Sequence, residues 1–537
     1  MVEGPTGAAA PQCSVVRSSA MVAVGTALSR ITGFGRLAAI AYAFGFTRLS
    51  DTYLLANTTP NIVYELLLGG VLSATLVPTF VEQREQGDEE GTSAIISVAL
   101  VVLVGLTVVG MLGAPLIMHF YTLNASGSPA EVEAQREVAT GLLVLFMPQM
   151  LFYGLTTMGT ALLNAHRRFS APAITPVLNN VMVIAMLVTV AHLTDGSLTL
   201  NRVHEERVLA AVIGLGTTAG VVAMTVALWP SIRRAGISLR FRLDWRHPAV
   251  RQVGRQSGWT LGYVIANQVA LVVIMLLAFG DEARLSAYNA AFVFFQLPHG
   301  LIAVSLMTTL VPELTSAATR KNWVAYRERF SSGVRLMALA VLPAATGYLV
   351  LARPIVSSLL ERGALSGASA QLTAEALGGF AVGLFGFSVY LFTLRGFYAL
   401  RDTRTPFFLN LGENALNLVL ALALTPWLGV RGLALAYALA YNLAAVAALV
   451  VLRRRVGGID GRRMMISIGR ITLASAAMAV VVIAVAGQVG ADNGSGAIVR
   501  TAVGVTVGAV TFVLGAVALR VEEVGGLRAR LTRTRTG

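Results

Sequence analysis

The chain has 537 residues, of which 55% are hydrophobic and 13% charged, and its formal net charge is +14. Globular proteins average about 45–50% apolar and about 25% charged residues, so these proportions exclude an ordinary soluble domain and point to an all-α polytopic membrane protein. The single Cys13 excludes an internal disulfide, and no His/Cys cluster, G-x-S-x-G elbow or P-loop lysine is present, so neither an enzyme nor a bound metal or other cofactor is expected.

Residues 1–20 read as a polar N-terminal tail without the apolar core and small-residue cleavage site of a signal peptide. Apolar stretches able to cross a hydrocarbon core of about 30 Å then recur from Met21 to Leu519, about fourteen in all. They are continuous and rich in Ala, Leu, Val and Gly, which predicts helices rather than barrel strands. Six spans are expected in an N-lobe over 21–232, six in a C-lobe over 255–452, and two in a C-terminal hairpin over 453–519. An Arg-rich linker over 233–254 joins the lobes, and a basic tail covers 520–537.

The first span contains Arg30 and Arg36. A charge at the centre of a span costs about 2.5–3.5 kcal/mol on insertion scales, so one that persists faces a cavity or a partner. Six residues turn an ideal helix by about 600°, which leaves the two side chains about 120° apart. Gly33 and Gly35 between them permit a bend that would bring both to one cavity. A guanidinium fork suits phosphate. The competing role is snorkelling by Arg30 and an internal pair of Arg36 with Glu65 or Asp51.

The second span opens at Asp51 and carries Asn57, Pro60, Asn61, Glu65 and the Gly69-Gly70 pair. Proline and paired glycines interrupt the helical ladder, as expected where a span lines a pathway. Glu65 is read as a cation ligand, a gating group or a counter-charge for an arginine. The eighth span offers Asn289, Gln296, Pro298, His299 and Gly300 without arginine, and His299 is either a titrating group or a hydrogen-bonded structural residue. The eleventh places Asn410, Glu413, Asn414 and Asn417 on one helical face, either a monovalent-cation site or polar contacts between helices.

Basic residues concentrate on alternate loops. Arg167 and Arg168, the 233–255 stretch, Arg320 to Arg329, Arg401 and Arg404, and Arg453 to Arg463 share one side. That is the positive-inside pattern, with both termini cytoplasmic. It accounts for the net charge through topology and anionic membrane lipids, so a nucleic-acid partner is unnecessary.

A repeat underlies this order. Leu72–Pro78 reads L-S-A-T-L-V-P and Leu306–Pro312 reads L-M-T-T-L-V-P, and 312 minus 78 gives 234. Pro172 and Asn180 recur as Pro406 and Asn414 at the same offset. Copies with an even number of spans insert in the same orientation and are related by an axis along the membrane normal, with a cavity between them.

The stretch Ser29-Arg30-Ile31-Thr32-Gly33-Phe34-Gly35-Arg36, followed by Asp51 and Pro60-Asn61, resembles the opening of the MurJ/MviN lipid II flippases of the MOP transporter superfamily. Arg168-Phe169-Ser170-Ala171-Pro172, Leu297-Pro298-His299-Gly300 and the run from Gly396 to Pro406 resemble the same family. The resemblance implies movement of the undecaprenyl-pyrophosphate-linked peptidoglycan precursor, lipid II, from the inner to the outer leaflet of the bacterial cytoplasmic membrane by alternating access. It implies that Arg30 and Arg36 are cavity arginines and Asp51 the family's acidic residue; the residues themselves add Asn57, Asn61 and Glu65 to the expected substrate-binding set. Gly33, Gly35, Pro60, Gln296 and His299 would then serve gating or the cavity wall. Sodium or membrane-potential coupling is implied, with Asn410 and Asn414 the positions that match a cation site. Leu37, Tyr64, Glu65 and Val293 depart from the family's charges. Competing readings are another MOP-type exporter of oligosaccharide-lipid or drugs, and a non-transporting scaffold for cell-wall synthesis or division proteins.

Overall fold

The computed structural model describes residues 10–66, 70–196, 198–256 and 258–525, and they are helical throughout, without strands. Gly69 and the tail arginines Arg528, Arg530, Arg533 and Arg535 lie outside the described residues. The chain divides into two compact units, one of 1–44 with 48–268, the other of 45–47 with 269–537.

The first unit begins with α1 (Ala10–Phe44), so the helix starts inside the stretch expected to be a tail. It continues through α2 (Arg48–Tyr64), α3 (Gly70–Gln86), α4 (Glu89–Tyr121), α5 (Pro129–Phe146), α6 (Pro148–Ala165) and α7 (Ser170–Leu193). The short α8 (Leu200–Glu205), α9 (Arg207–Val226), α10 (Trp229–Arg234) and α11 (Pro248–Gln256) follow, and the unit ends within α12 (Gly258–Ala278). Its starts are written in the sequence. Asp88 accepts the Gly91 amide at 2.7 Å to cap α4, and Ser128 forms a capping box with Glu131 ahead of Pro129. Helix α1 packs extensively along α7. Gly25 makes this possible, because a Cβ there would lie 2.7 Å from the Ala173 carbonyl oxygen.

The second unit contains α13 (Arg284–Pro298), a π-helical turn (His299–Ala303), α14 (Val304–Thr319), α15 (Trp323–Leu360), α16 (Gly367–Ala381) and α17 (Leu384–Ala399). It closes with α18 (Arg404–Val456), α19 (Gly461–Ala486) and α20 (Gly494–Ala518), the last two packing on each other and on α15. Lipid tails are as apolar as leucine, so close backbone approach replaces hydrophobic burial as the means of cohesion. At Gly383 a Cβ would meet the Ala438 Cα at 2.5 Å, so only glycine admits this contact. Aromatic stacking adds to it, as between Phe330 and Phe392, whose centroids are 5.1 Å apart.

Among the described residues nine helices are long and apolar enough to cross a membrane, or ten when α16 and α17, bent by 49°, are taken together. The difference from the expected fourteen has physical causes. Helix α18 is divided by Gly429, whose φ of 55° and ψ of −134° are not helical. The α2–α3 pair is interrupted after Tyr64, where the backbone widens to π geometry at Glu65 and Leu66. Within α12 the described side chains form the apolar stretch Val264–Ala278.

The 234-residue offset reappears in the backbone. Left-handed residues pair as Gly87 with Lys321, Arg167 with Arg401, and Asp195 with Gly429. Asp88 and Asn322 cap α4 and α15 in the same way. The π-helical widening at Glu65 recurs at His299, and 299 minus 65 is again 234.

Candidate substrate site

In the first unit the polar residues of α1 and α2 remain open. Arg30 is exposed and Arg36 half-buried, and among the described residues neither has an ion-pair or hydrogen-bond partner. The same holds for Glu65, so the pair weighed between Arg36 and Glu65 is absent among the described residues. Asn57, Asn61 and Glu65 recur every four residues and so share one face, on which Asn61 is exposed and the other two half-buried. The Asn57 Oδ1 is buried without a partner among the described residues.

Asp51 lies elsewhere, 2% exposed and engaged by neighbours. Pro60 is buried within α2. Gly33 and Gly35 face α7, where a Cβ would stand at ordinary contact distance, 3.6 Å from Asn180 Nδ2 and 3.4 Å from Ile184 Cδ1. Asn180 donates in turn to the Ser29 carbonyl at 3.3 Å and to Thr32 Oγ1 at 3.1 Å.

The departures from family charges have local accounts. Leu37 is 4% exposed, an apolar site in which a carboxylate would be costly. Tyr64 is 5% exposed and donates to Thr157 Oγ1 at 2.7 Å, while Val293 is half-buried.

In the second unit most of the polar residues named from the sequence are buried. His299 is buried, with Nδ1 3.0 Å from Ser388 Oγ and its ring edge-to-face with Phe387 at 4.7 Å. Gln296, one turn earlier, is half-buried. Asn410, Glu413, Asn414 and Asn417 are all buried, which agrees with their one-face spacing. The Asn414 Nδ2 donates to the Asn410 carbonyl at 3.0 Å. The Glu413 Oε2 and Asn417 Oδ1 are buried without a partner among the described residues, leaving two oxygen acceptors on the stripe. Among the described residues there is no group of three His, Cys, Asp or Glu that would hold a metal ion.

Sequence reasoning missed Arg335 and Arg395. Arg335 lies inside the apolar α15, and its Nη1 bonds Glu523 at 2.5 Å and Glu522 at 3.2 Å. Ser467 Oγ donates to the second Glu523 oxygen at 2.8 Å, and Arg463 pairs with Glu522 at 2.9 Å. The signal was available, an arginine within a span followed by paired acids beyond the last one. Arg395 in α17 is exposed and has no bonded partner among the described residues.

The chain was compared with known proteins. The family model described as lipid II flippase MurJ matches residues 40–504, so Arg30 and Arg36 lie just before the matched range. A probable lipid II flippase MurJ from Rhizobium tropici is 28% identical over 82% of this chain and 81% of its own length. The lipid II flippase MurJ of Burkholderia cenocepacia is 29% identical over 80% and 82%. Among solved structures, a lipid II flippase MurJ in an inward closed conformation superposes with a TM-score of 0.75 at 21% identity, covering 93% of this chain and 98% of the other. An inward-facing multidrug resistance MATE transporter of the MOP superfamily gives 0.64 at 12% identity over 80% and 96%. These last two likenesses concern the fold, whereas a family match over most of the chain settles membership: the chain belongs to the lipid II flippase MurJ family.

Proposed function

We propose that this protein moves lipid II from the inner to the outer leaflet of the bacterial cytoplasmic membrane and so serves peptidoglycan synthesis. Family membership supports the substrate, and the observation that carries the site is Arg30 and Arg36, which have no ion-pair or hydrogen-bond partner among the described residues. The lipid carries a pyrophosphate, and paired guanidinium donors match its oxygens. Bringing that headgroup across hydrocarbon unaided would be prohibitive, so a polar path is required while the polyprenyl tail stays in lipid. Asn57, Asn61 and Glu65 supply further polar groups on one face of α2.

The reading extends to fourteen spans with both termini cytoplasmic. It is supported by joining α2 to α3, dividing α18 at Gly429, counting α1 and α12, and placing the arginine-rich loops inside. Duplication with an even span number supports alternating access. Sodium or the membrane potential drives the cycle, with Asn410 and Asn414 as the cation-binding positions.

The test is a leaflet-resolved lipid II assay in proteoliposomes, with the sodium gradient and membrane potential set independently. Lipid II should reach the far leaflet with the wild-type chain and fail to do so with Arg30→Ala/Arg36→Ala. Transport of cationic drugs in its place would support the MOP-type exporter instead, and growth that survives these substitutions but not truncation after Leu452 would support the scaffold.

A further inference from the structure

The segment between α10 and α11 carries an apolar row that runs off the protein. Residues 237–243 lie outside the helices, and the amides of Arg240 and Arg242 both turn to α4, so alternate positions share a face. Ile237 and Leu239 pack against the core of the first unit formed by α3, α4 and α6. Phe241, Leu243 and Trp245 continue the odd-numbered row and are 69%, 48% and 50% exposed. The interleaved even positions include Arg240, Arg242 and Arg246.

This segment is fixed in place. Ser238 Oγ donates to Glu89 at 2.7 Å, the Arg240 amide to Ser93 Oγ at 3.3 Å, and the Arg242 amide to Ser97 Oγ at 2.9 Å. Eight residues of α4 rise about 12 Å and four extended residues cover about 13 Å. The two therefore run side by side from the end of α4 toward its middle. The chain then turns back, and His247 Nε2 reaches the α4 cap Asp88 at 3.9 Å.

Helix α4 has 33 residues, hence a length of about 50 Å against a hydrocarbon core of about 30 Å. Its first two turns consequently lie in the headgroup layer. Its exposed apolar side chains begin at Val101, one turn beyond Ser97. The tip holding Phe241, Leu243 and Trp245 is thereby set at the boundary between headgroups and acyl chains, where aromatic residues are favoured.

We propose that residues 238–247 are an interfacial anchor that binds anionic phospholipid, the apolar row entering the upper acyl chains and the arginines holding the phosphates. Charge chooses this occupant. Arg242 is consumed by Glu90, and the nearby Asp244 accepts the Arg246 amide at 2.9 Å. Arg240 and Arg246 are exposed, and their guanidinium groups have no bonded partner among the described residues. Arg233 stacked over Trp229 at 5.1 Å extends the basic surface. Basic residues beside apolar ones at this depth bind anionic lipid through charge and burial together.

The test places the full chain in nanodiscs with brominated phosphatidylcholine or brominated phosphatidylglycerol at equal mole fraction. The emission of Trp245 is taken as the difference between wild type and Trp245→Phe. Brominated phosphatidylglycerol should quench it about twofold or more beyond phosphatidylcholine. Arg240→Gln/Arg246→Gln should abolish that preference, and Arg240→Lys/Arg246→Lys should keep it. Absence of quenching by either lipid would show that the row faces water or a protein and would overturn the proposal. Equal quenching by both, or a preference unchanged by the glutamine pair, would also overturn it. The comparison of the two lipids on the wild-type chain decides the matter even if the glutamine variant does not fold.

Discussion

The two copies of the broken helix, α2–α3 and α13–α14, share a backbone and differ in what their polar side chains have left to offer. Both widen to π geometry at equivalent positions, Glu65 and His299, and both carry a proline further along, Pro78 and Pro312. In the first copy Glu65 has no bonded partner among the described residues, and Arg30 and Arg36 on α1 are likewise unpaired. In the second, His299 is held by Ser388, and Arg335 in the same unit is shared between two carboxylates. A buried polar group that is satisfied contributes to the fold, whereas one left open has binding capacity to spare. The duplicated backbone thus supplies two equivalent frames, of which the first carries the side chains suited to an anionic ligand.

The sharpest way to break this contrast is to remove Arg335. Arg335→Ala leaves Glu523, itself 8% exposed, buried without its counter-charge, a change that costs about 3–5 kcal/mol. Thermal unfolding in detergent should show a large loss, partly restored by Glu523→Gln in the same chain. Removing Arg30 and Arg36 should do the reverse. Lipid II transport by the double alanine variant is expected to fall about a hundredfold, or about 2.7 kcal/mol, with unfolding almost unchanged. A parallel loss of stability would mean that these arginines are structural and that the contrast fails.

A smaller effect distinguishes the two π-helical positions directly. His299→Ala removes a buried hydrogen bond and leaves Ser388 only its bond to the Leu384 carbonyl, so a stability loss of about 1–2 kcal/mol is expected. Glu65→Gln, which loses no bonded partner among the described residues, should change stability by less than about 0.5 kcal/mol while slowing transport. Circular dichroism melts and the leaflet assay on the same preparations would separate the two outcomes.

Much of this frame was legible in the sequence because duplication leaves an additive signature. The offset of 234 was visible in L-x-x-T-L-V-P, and it returned in left-handed residues such as Arg167 and Arg401, where no glycine marks the turn. The spacing of Asn410, Glu413, Asn414 and Asn417 correctly placed them on one face, and their burial follows from it. Which polar groups are satisfied was not legible. That depends on partners distant in the chain, such as Glu523 for Arg335 or Asn180 for the carbonyl of Ser29.

The smallest expected effect concerns the loop entering α18, where the two copies differ by charge at equivalent positions. Arg168 of the first copy donates to the Arg234 carbonyl at 2.9 Å, while its counterpart Asp402 accepts from the Arg404 amide at 3.1 Å, the Thr405 amide at 3.0 Å and the Thr405 hydroxyl at 2.7 Å. Burial alone would raise the Asp402 carboxyl, but the Thr405 bonds, the Arg455 charge and the Arg404 amide outweigh it and hold the group below the usual carboxylate range. A carboxylate with a lowered value in the folded state stabilises fully above its unfolded value of about 3.9. That contribution is lost as the pH falls through the lower folded value. Because Arg455 is largely exposed and screened, the amount is a few tenths of a kcal/mol. Unfolding measured from neutral pH down to about pH 3 should therefore show a small acid-side loss that Asp402→Asn removes, with the two curves meeting at the acid end. Curves that stay parallel across that range would show that Asp402 holds the start of α18 by shape alone, and the charge difference between the copies would carry no energetic weight.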